Sequence, residues 1–345
     1  MNTRIFKISP TTPKETDITD AAHILRNGGL VAFPTETVYG LGGDATDPDV
    51  AKKIYSAKGR PSDNPLIIHI AHPEDAERYA YTTEIYYKLA KAFMPGPLTV
   101  ILKKRDTVPE TVTGGLDTVA VRCPAHPIAH ELISRAGVAI AAPSANLSGS
   151  PSPTCGEHVI SDMNGRIDAI IDGGECAIGL ESTIVKPDGD SLILLRPGAI
   201  TADALSCVCD KVVISEAVTE ALKENERPLS PGMKYKHYAP SVPLTLLDGE
   251  DSKVLDFLIN AQKTEKCAIL CYAEELSSLL PERLIDIGKT DDLNTQANRL
   301  FAALRNTEAL ECDIIYAHLP KTEGIGLALY NRLIRAAAHT VKHIN

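Results

Sequence analysis

"TDPDVAKKIYSAKGRPSDNPLIIHIA", residues 46–71, passes from a helical pattern to a strand pattern through one proline-fixed loop. Asp47 suits an N-cap and Pro48 a first helical position, so the spacing predicts a helix that closes at Gly59. Pro61 and Pro65 stiffen the loop, and the apolar run Leu66, Ile67, Ile68 reads as a buried strand interrupted by His69. A helix feeding a short buried strand is the repeating unit of an α/β protein.

The same alternation extends on both sides. "DITDAAHILRNGG" reads as a helix stopped at Gly28 and Gly29, and "LVAFPTET" as a strand broken at Pro34. Downstream come the helix "TTEIYYKLAKAFM" and the strands "LTVILKK", "TVAVRCP", "VAIAAPSAN", "STIVKP" and "LILLRPG". Residues 1–205 are therefore expected to form an α/β domain on a mixed sheet. From residue 242, "PLTLLDG", "KCAILCYA", "RLIDIGK" and "CDIIYAHLP" are strand patterns separated by helix patterns at 251–263, 291–309 and 324–342. That alternation predicts a smaller three-layer domain with a mainly parallel sheet. Residues 206–241, holding the proline-rich "SPGMKYKHYAP", read as a linker or ordered loop.

Bulk properties narrow the function. The chain has 345 residues, 44% of them apolar and 23% charged, with a formal net charge of -10. Such an acidic balance argues against binding nucleic acid through the whole surface. No apolar run is long enough for a bilayer span, and no signal peptide is recognised, so a cytosolic protein with eight reduced cysteines is expected. Cys123, His126 and His130 have a spacing that could bind zinc on a helix, but Pro127 starts the helix between the histidines and no fourth ligand follows. No structural metal is expected.

Several strands end in polar, conformationally restricted loops. These supply Thr35; Lys58, Arg60, Asn64 and His69; Arg122; Ser144, Asn146 and Ser152; Ser182; and Arg196. Strand ends are where open α/β sheets place ligands. The arginine forks suit carboxylate and phosphate oxygens, and the small hydroxyls and amides suit phosphates, a ribose or hydrated magnesium. No phosphate loop of the GxxxxGK[ST] type, metal cage or reactive cysteine is evident. Taken singly, each residue reads first as an ordinary turn hydroxyl, a helix-end cation or a core histidine, and only their joint arrangement points to a site.

Together, "FPTETVYGLGGDA", "KGRPSDNPL", "PGPLTVIL", "VAVRCPAHP", "APSANLSGSPSPT", "STIV" and "LRPGAI" resemble the YrdC-like threonylcarbamoyl-AMP synthases. "SPGMKYKHYAP" resembles the interdomain loop of their long, two-domain form. The resemblance covers residues 15–240 in register and implies a YrdC-like twisted mixed sheet followed by a Rossmann-like domain. It implies that L-threonine, bicarbonate or CO₂, and ATP with Mg²⁺ give L-threonylcarbamoyl-adenylate and pyrophosphate. The product would then serve N6-threonylcarbamoylation of adenosine 37 in ANN-decoding tRNAs by other proteins. By the same resemblance Thr35, His69, Arg122, Ala142 and Ser182 surround threonine, with Arg122 on its carboxylate. Lys58, Arg60, Asn64, Thr118, Ser144, Asn146, Ser152 and Arg196 meet ATP, and the loop adds Lys234, Tyr235 and His237 as a lid. Lys58, Arg60, Ser144 and Asn146 would act in catalysis. Competing readings are an RNA-binding translation accessory protein, a carbamoyltransferase using carbamoyl phosphate, and a nucleotide-binding regulator. Stable tRNA binding is not expected.

Overall fold

The computed structural model describes residues 2–11, 15–59, 64–220 and 238–345. They pack as two compact units, one drawn from Met1–Ser148, Ser152–Ala177 and Glu181–Lys234, the other from Gly149–Pro151, Ile178–Leu180 and Tyr235–Asn345.

The first unit opens with β1 (Arg4–Lys7), α1 (Glu15–Arg26), β2 (Val31–Phe33), β3 (Gly40–Asp44), α2 (Val50–Lys58) and β4 (Ile67–His69). It continues through β5 (Ala80–Tyr81), α3 (Glu84–Phe93), β6 (Leu98–Lys104), β7 (Thr118–Arg122), α4 (Pro127–Ala136) and β8 (Ile140–Ala142). It closes with α5 (Gly156–Met163), β9 (Ala169–Asp172), β10 (Thr183–Asp188), β11 (Ser191–Arg196), α6 (Ala202–Ser206) and β12 (Lys211–Ile214). These strands form one sheet in the order β1-β9-β2-β3-β8-β4-β7-β6-β10-β11-β12, with β5 paired to β6. The sheet is mixed, as expected: β4 runs parallel to β7 and antiparallel to β8. α1 and α4 cover part of it, burying Ile18, Leu25, Ile128 and Leu132 against Phe33, Ile140 and Ile171.

Three local differences from the sequence reading have physical causes. First, α2 begins at Val50, with Asp49 at the N-cap position but making no side-chain cap, because the Asp47 carboxylate accepts the Asp49 N–H at 2.8 Å and forms a turn ahead of the helix. Second, the glycine-rich "GLGGD" is a strand. A Cβ on Gly43 would lie 2.2 Å from Val50 Cγ2, so the glycine is what lets α2 lie close on β3. Third, the stretch read as linker from residue 206 carries β12, parallel to β11. At the metal-like spacing, His126 caps α4, its Nδ1 accepting from the Ile128 N–H at 3.2 Å.

The second unit contains β13 (Leu244–Asp248), α7 (Asp251–Thr264), β14 (Cys267–Cys271), β15 (Leu284–Asp286), α8 (Leu293–Asn306), β16 (Ile314–His318), α9 (Gly326–Ala336) and β17 (Val341–His343). Its order is β15-β14-β16-β13-β17, and every pairing is parallel. The chain moves one way across the sheet through α7 and the opposite way through α8 and α9. Right-handed crossovers then put α7 on one face and α8 with α9 on the other, giving three layers. The helix expected to reach 342 ends at Ala336, because Ala338 and His339 take left-handed backbone angles of 48° and 62° and turn the chain into β17.

Candidate active site

Strand register assembles one part of the site. His69 on β4 lies directly beside Arg122 on β7, and Arg122 lies opposite Thr99 on β6. Partners across adjacent strands project to the same face, so these side chains form a row. Ser182, just before β10, extends it: its Oγ is 2.8 Å from Thr99 Oγ1. Arg196, ending β11, then clasps Ser182, donating from Nη2 to Oγ at 3.1 Å and from Nε to the carbonyl at 3.0 Å. All five residues are buried.

The "PTET" turn after β2 closes over Arg122. Thr35 is buried and donates its hydroxyl to the Val38 carbonyl at 2.7 Å, and Arg122 Nη2 is 3.5 Å from Thr35 Oγ1. Glu36 pairs with Arg122 at 2.8 Å between Oε1 and Nη2, and its Oε2 accepts the Ala125 N–H at 3.2 Å. Burial opposes ionisation of Glu36, but the Arg122 charge outweighs it and holds the carboxyl below its usual range. His69 titrates at about 3, first because it is buried and then because Arg122 is near, so its ring is neutral at physiological pH. Its Nδ1 is 3.3 Å from the Ile140 carbonyl. A carbonyl can only accept, so Nδ1 carries the hydrogen and Nε2 the lone pair.

A second cluster surrounds Lys58, the last residue of α2. Gly59, at φ 63°, ends the helix in the left-handed region that a glycine adopts without strain. The buried Lys58 ammonium donates to the carbonyls of Ser144 at 2.5 Å and Asn146 at 2.6 Å and to Asn146 Oδ1 at 3.3 Å. Ser144 Oγ also reaches Asn146 Oδ1, at 2.5 Å. A bridge between Gly40 and Ser144 ties this turn to β3, and Ala142 ends β8 opposite Ile67. Asn64 is wholly buried with neither side-chain polar atom hydrogen-bonded among the described residues, and its carbonyl accepts from the Tyr55 hydroxyl. Ser152 Oγ donates to Glu181 at 2.6 Å. Thr118 starts β7, four residues from Arg122 and so about 13 Å away along the strand. Arg60, Lys234, Tyr235 and His237, and with them most of the expected lid, lie outside the described residues.

Three residues of the site were not singled out from sequence. Glu36 follows the noted Thr35, Thr99 lies inside an apolar strand pattern, and Glu181 precedes "STIV". Their signal is contextual: an acid or hydroxyl flanking a residue already noted. Buried cysteines offer no nucleophile nearby; Cys123 donates to the Ala71 carbonyl at 3.2 Å, and burial pushes its thiol up to about 12.

Comparison with known proteins identifies the family. The Sua5/YciO/YrdC family model, described as "Telomere recombination", matches residues 23–198, and one described as "Threonylcarbamoyl-AMP synthase, C-terminal domain" matches residues 200–338. The chain is 44% identical to the threonylcarbamoyl-AMP synthase of Bacillus subtilis, over 94% of each chain. It is 44% identical to that of Pyrococcus abyssi, over 95% of this chain and 96% of the other. The crystal structure of P. abyssi Sua5 complexed with L-threonine superposes with a TM-score of 0.90 at 41% identity, covering 99% of this chain and 100% of that one. A mixed-sheet domain followed by a parallel-sheet domain, both matched along nearly their whole length, makes this chain a member of the two-domain threonylcarbamoyl-AMP synthase family of enzymes.

Proposed function

We propose that the protein condenses L-threonine, bicarbonate or CO₂, and ATP into L-threonylcarbamoyl-adenylate and pyrophosphate. What carries the reading is the buried row of His69, Arg122, Thr99 and Ser182 together with the Lys58–Asn146 turn, supported by the L-threonine complex of a close structural relative. The Arg122 fork suits the substrate carboxylate. The neutral His69 ring, with its lone pair on Nε2, suits a donating hydroxyl, which separates threonine from valine.

The reaction proceeds in two steps. The threonine amine forms a bond to CO₂ carbon and loses a proton, giving a carbamate. A carbamate oxygen then attacks the α-phosphorus of ATP, and pyrophosphate leaves with the electrons of the broken P–O bond. Lys58 already spends its ammonium donors on three oxygens of the 144–146 turn, so it serves as a fixed charge beneath the nucleotide. Arg60 adds a second cation, Asn64 orders the loop, and Arg196 reaches the adenylate side through Ser182. Thr118, Ser152 and the Ala142 backbone complete the pockets. Among the described residues no group of three His, Cys, Asp or Glu side chains forms a metal cage. Ser144 and Asn146 instead offer neutral oxygens that suit magnesium carried in on the phosphates, where the ion would offset phosphate charge. Lys234, Tyr235 and His237, outside the described residues, would add polar groups for the nucleotide.

The product passes to proteins that modify adenosine 37 of tRNA, and the enzyme works in the cytoplasm. Among the described residues no helix is long and apolar enough to cross a membrane. The test is pyrophosphate release with ATP, Mg²⁺, bicarbonate and each amino acid in turn, with the adenylate identified by mass spectrometry. Release with threonine and the matching mass are expected. ATP binding without threonine-dependent release would overturn the reading.

A further inference from the structure

We propose that Glu36 is the receptor for the α-ammonium group of the amino-acid substrate, facing the Arg122 fork that takes its carboxylate. The inference rests on the threonine reading above and adds a residue to it.

Three observations carry it. Glu36 and Arg122 are the opposite charges at the row's centre, 12% and 4% exposed. An α-amino acid bears its two charges on either side of one carbon. A receptor whose own charges touch matches both at once, whereas an arginine alone accepts any carboxylate. Second, the pair is incompletely satisfied. Glu36 Oε1 lies 2.8 Å from Arg122 Nη2, yet no N–H is aimed at it, and both Oε1 and Arg122 Nε are buried without a directed hydrogen bond among the described residues. Orphaned buried polar atoms are costly, and two at one contact call for a shared partner with a donor for one and an acceptor for the other. A zwitterion supplies both. Third, the carboxylate is held in place from behind by the Ala125 N–H on its other oxygen, so it meets a ligand pre-oriented.

The chemistry follows from the same geometry. The low proton affinity of Glu36 keeps it charged while it holds the ammonium. The ammonium releases two protons to water in all: one before the nitrogen lone pair can attack the CO₂ carbon, and one as the N–C bond forms and the carbamate takes its charge, while Glu36 stays ionised throughout. The resulting carbamate is an anion, so Glu36 repels it toward the nucleotide cations. Selection of α-amino acids over hydroxy acids thus resides in Glu36, and selection of the side chain in His69.

The experiment is calorimetry of L-threonine and of its des-amino analogue, 3-hydroxybutanoate, on the full-length protein, wild type against Glu36→Gln and Glu36→Asp. Wild type should prefer threonine. In Glu36→Gln threonine binding should fall on the order of 30-fold, as for truncating a buried charge pair, while the analogue binds unchanged or better. Glu36→Asp should keep the preference for threonine at lower affinity. Equal loss of both ligands in Glu36→Gln would make Glu36 a mere support for Arg122 and overturn the proposal. Should Glu36→Gln fail to bind ATP, and so to fold, the Glu36→Asp ratio decides alone, and loss of preference there overturns it. Wild type that binds ATP and neither carboxylate ligand would fell the threonine reading itself.

Discussion

His69 shows how one side chain can read as core and as a proposed site residue at once. Its position in an apolar strand is that of a structural histidine, and the structure does bury it, with Nδ1 bonded to the Ile140 carbonyl. The same burial gives it its chemical character: a ring that stays neutral down to about pH 3. This has a measurable consequence for stability. The unfolded ring titrates near 6.5 and the folded ring near 3, so between these values the unfolded chain binds more protons. Stability contributed by the neutral ring is therefore fully present above about pH 6.5 and is lost as pH falls toward 3, by roughly 1.4 kcal/mol per pH unit. Urea midpoints from pH 7 to pH 4 should show this slope in wild type. His69→Asn, which keeps a donor toward Ile140, should flatten it by about one proton. Parallel slopes in the two proteins would mean that His69 does not govern the acid limb.

At the scale of elements, legibility followed side-chain pattern. Strands with continuous branched apolar runs, such as "LTVILKK" and "CAILC", and helices with clear ends, such as the one capped by Thr83, stood out from sequence. β3 did not, because a strand made of glycines carries no apolar signature. It is a strand because its neighbours leave no room: a Cβ on Gly42 would meet Ile140 Cγ2 at 2.5 Å, and one on Gly43 would meet Val50 Cγ2 at 2.2 Å. On the proposed reading the tight fit also bears on ATP, since Val50 begins α2 and Lys58 ends it. Gly43→Ala should therefore push α2 outward, cost about 2 kcal/mol as overpacking does, and weaken ATP binding through the displaced Lys58. Val50→Ala removes the opposing methyls, so the double variant should recover part of both losses. A urea series and an ATP titration on the two single variants and the double variant check this. Strict additivity would show that the contact is not what glycine relieves.

At the scale of the whole molecule, the sequence patterns name elements but not their neighbours. Nothing in "LIIHIA" or "VAVRCP" says that β4 lies beside β7 in the register that sets His69 against Arg122, or that β9 comes between β1 and β2. Those facts come from long-range packing, which local periodicity does not encode. Hence candidate residues could be named from motifs while their order across the sheet could not. The second unit is simpler, and its simplicity makes a prediction. All five of its strands lie between Leu244 and His343, and each pairs only with others of the five. Its helix α7 buries Val254, Leu258 and Ala261 against Leu247, Ile269 and Tyr316 in a core of its own. A parallel sheet covered on both faces is a self-sufficient arrangement, and its size is in the range of independently folding domains. Residues 238–345 expressed alone should then give a single cooperative thermal transition and dispersed amide resonances. The fragment should bind neither ATP nor threonine, because every polar residue of the row and of the Lys58 turn lies in the first unit. A fragment that melts without a transition and binds a hydrophobic dye would show that this core is completed only by the rest of the chain.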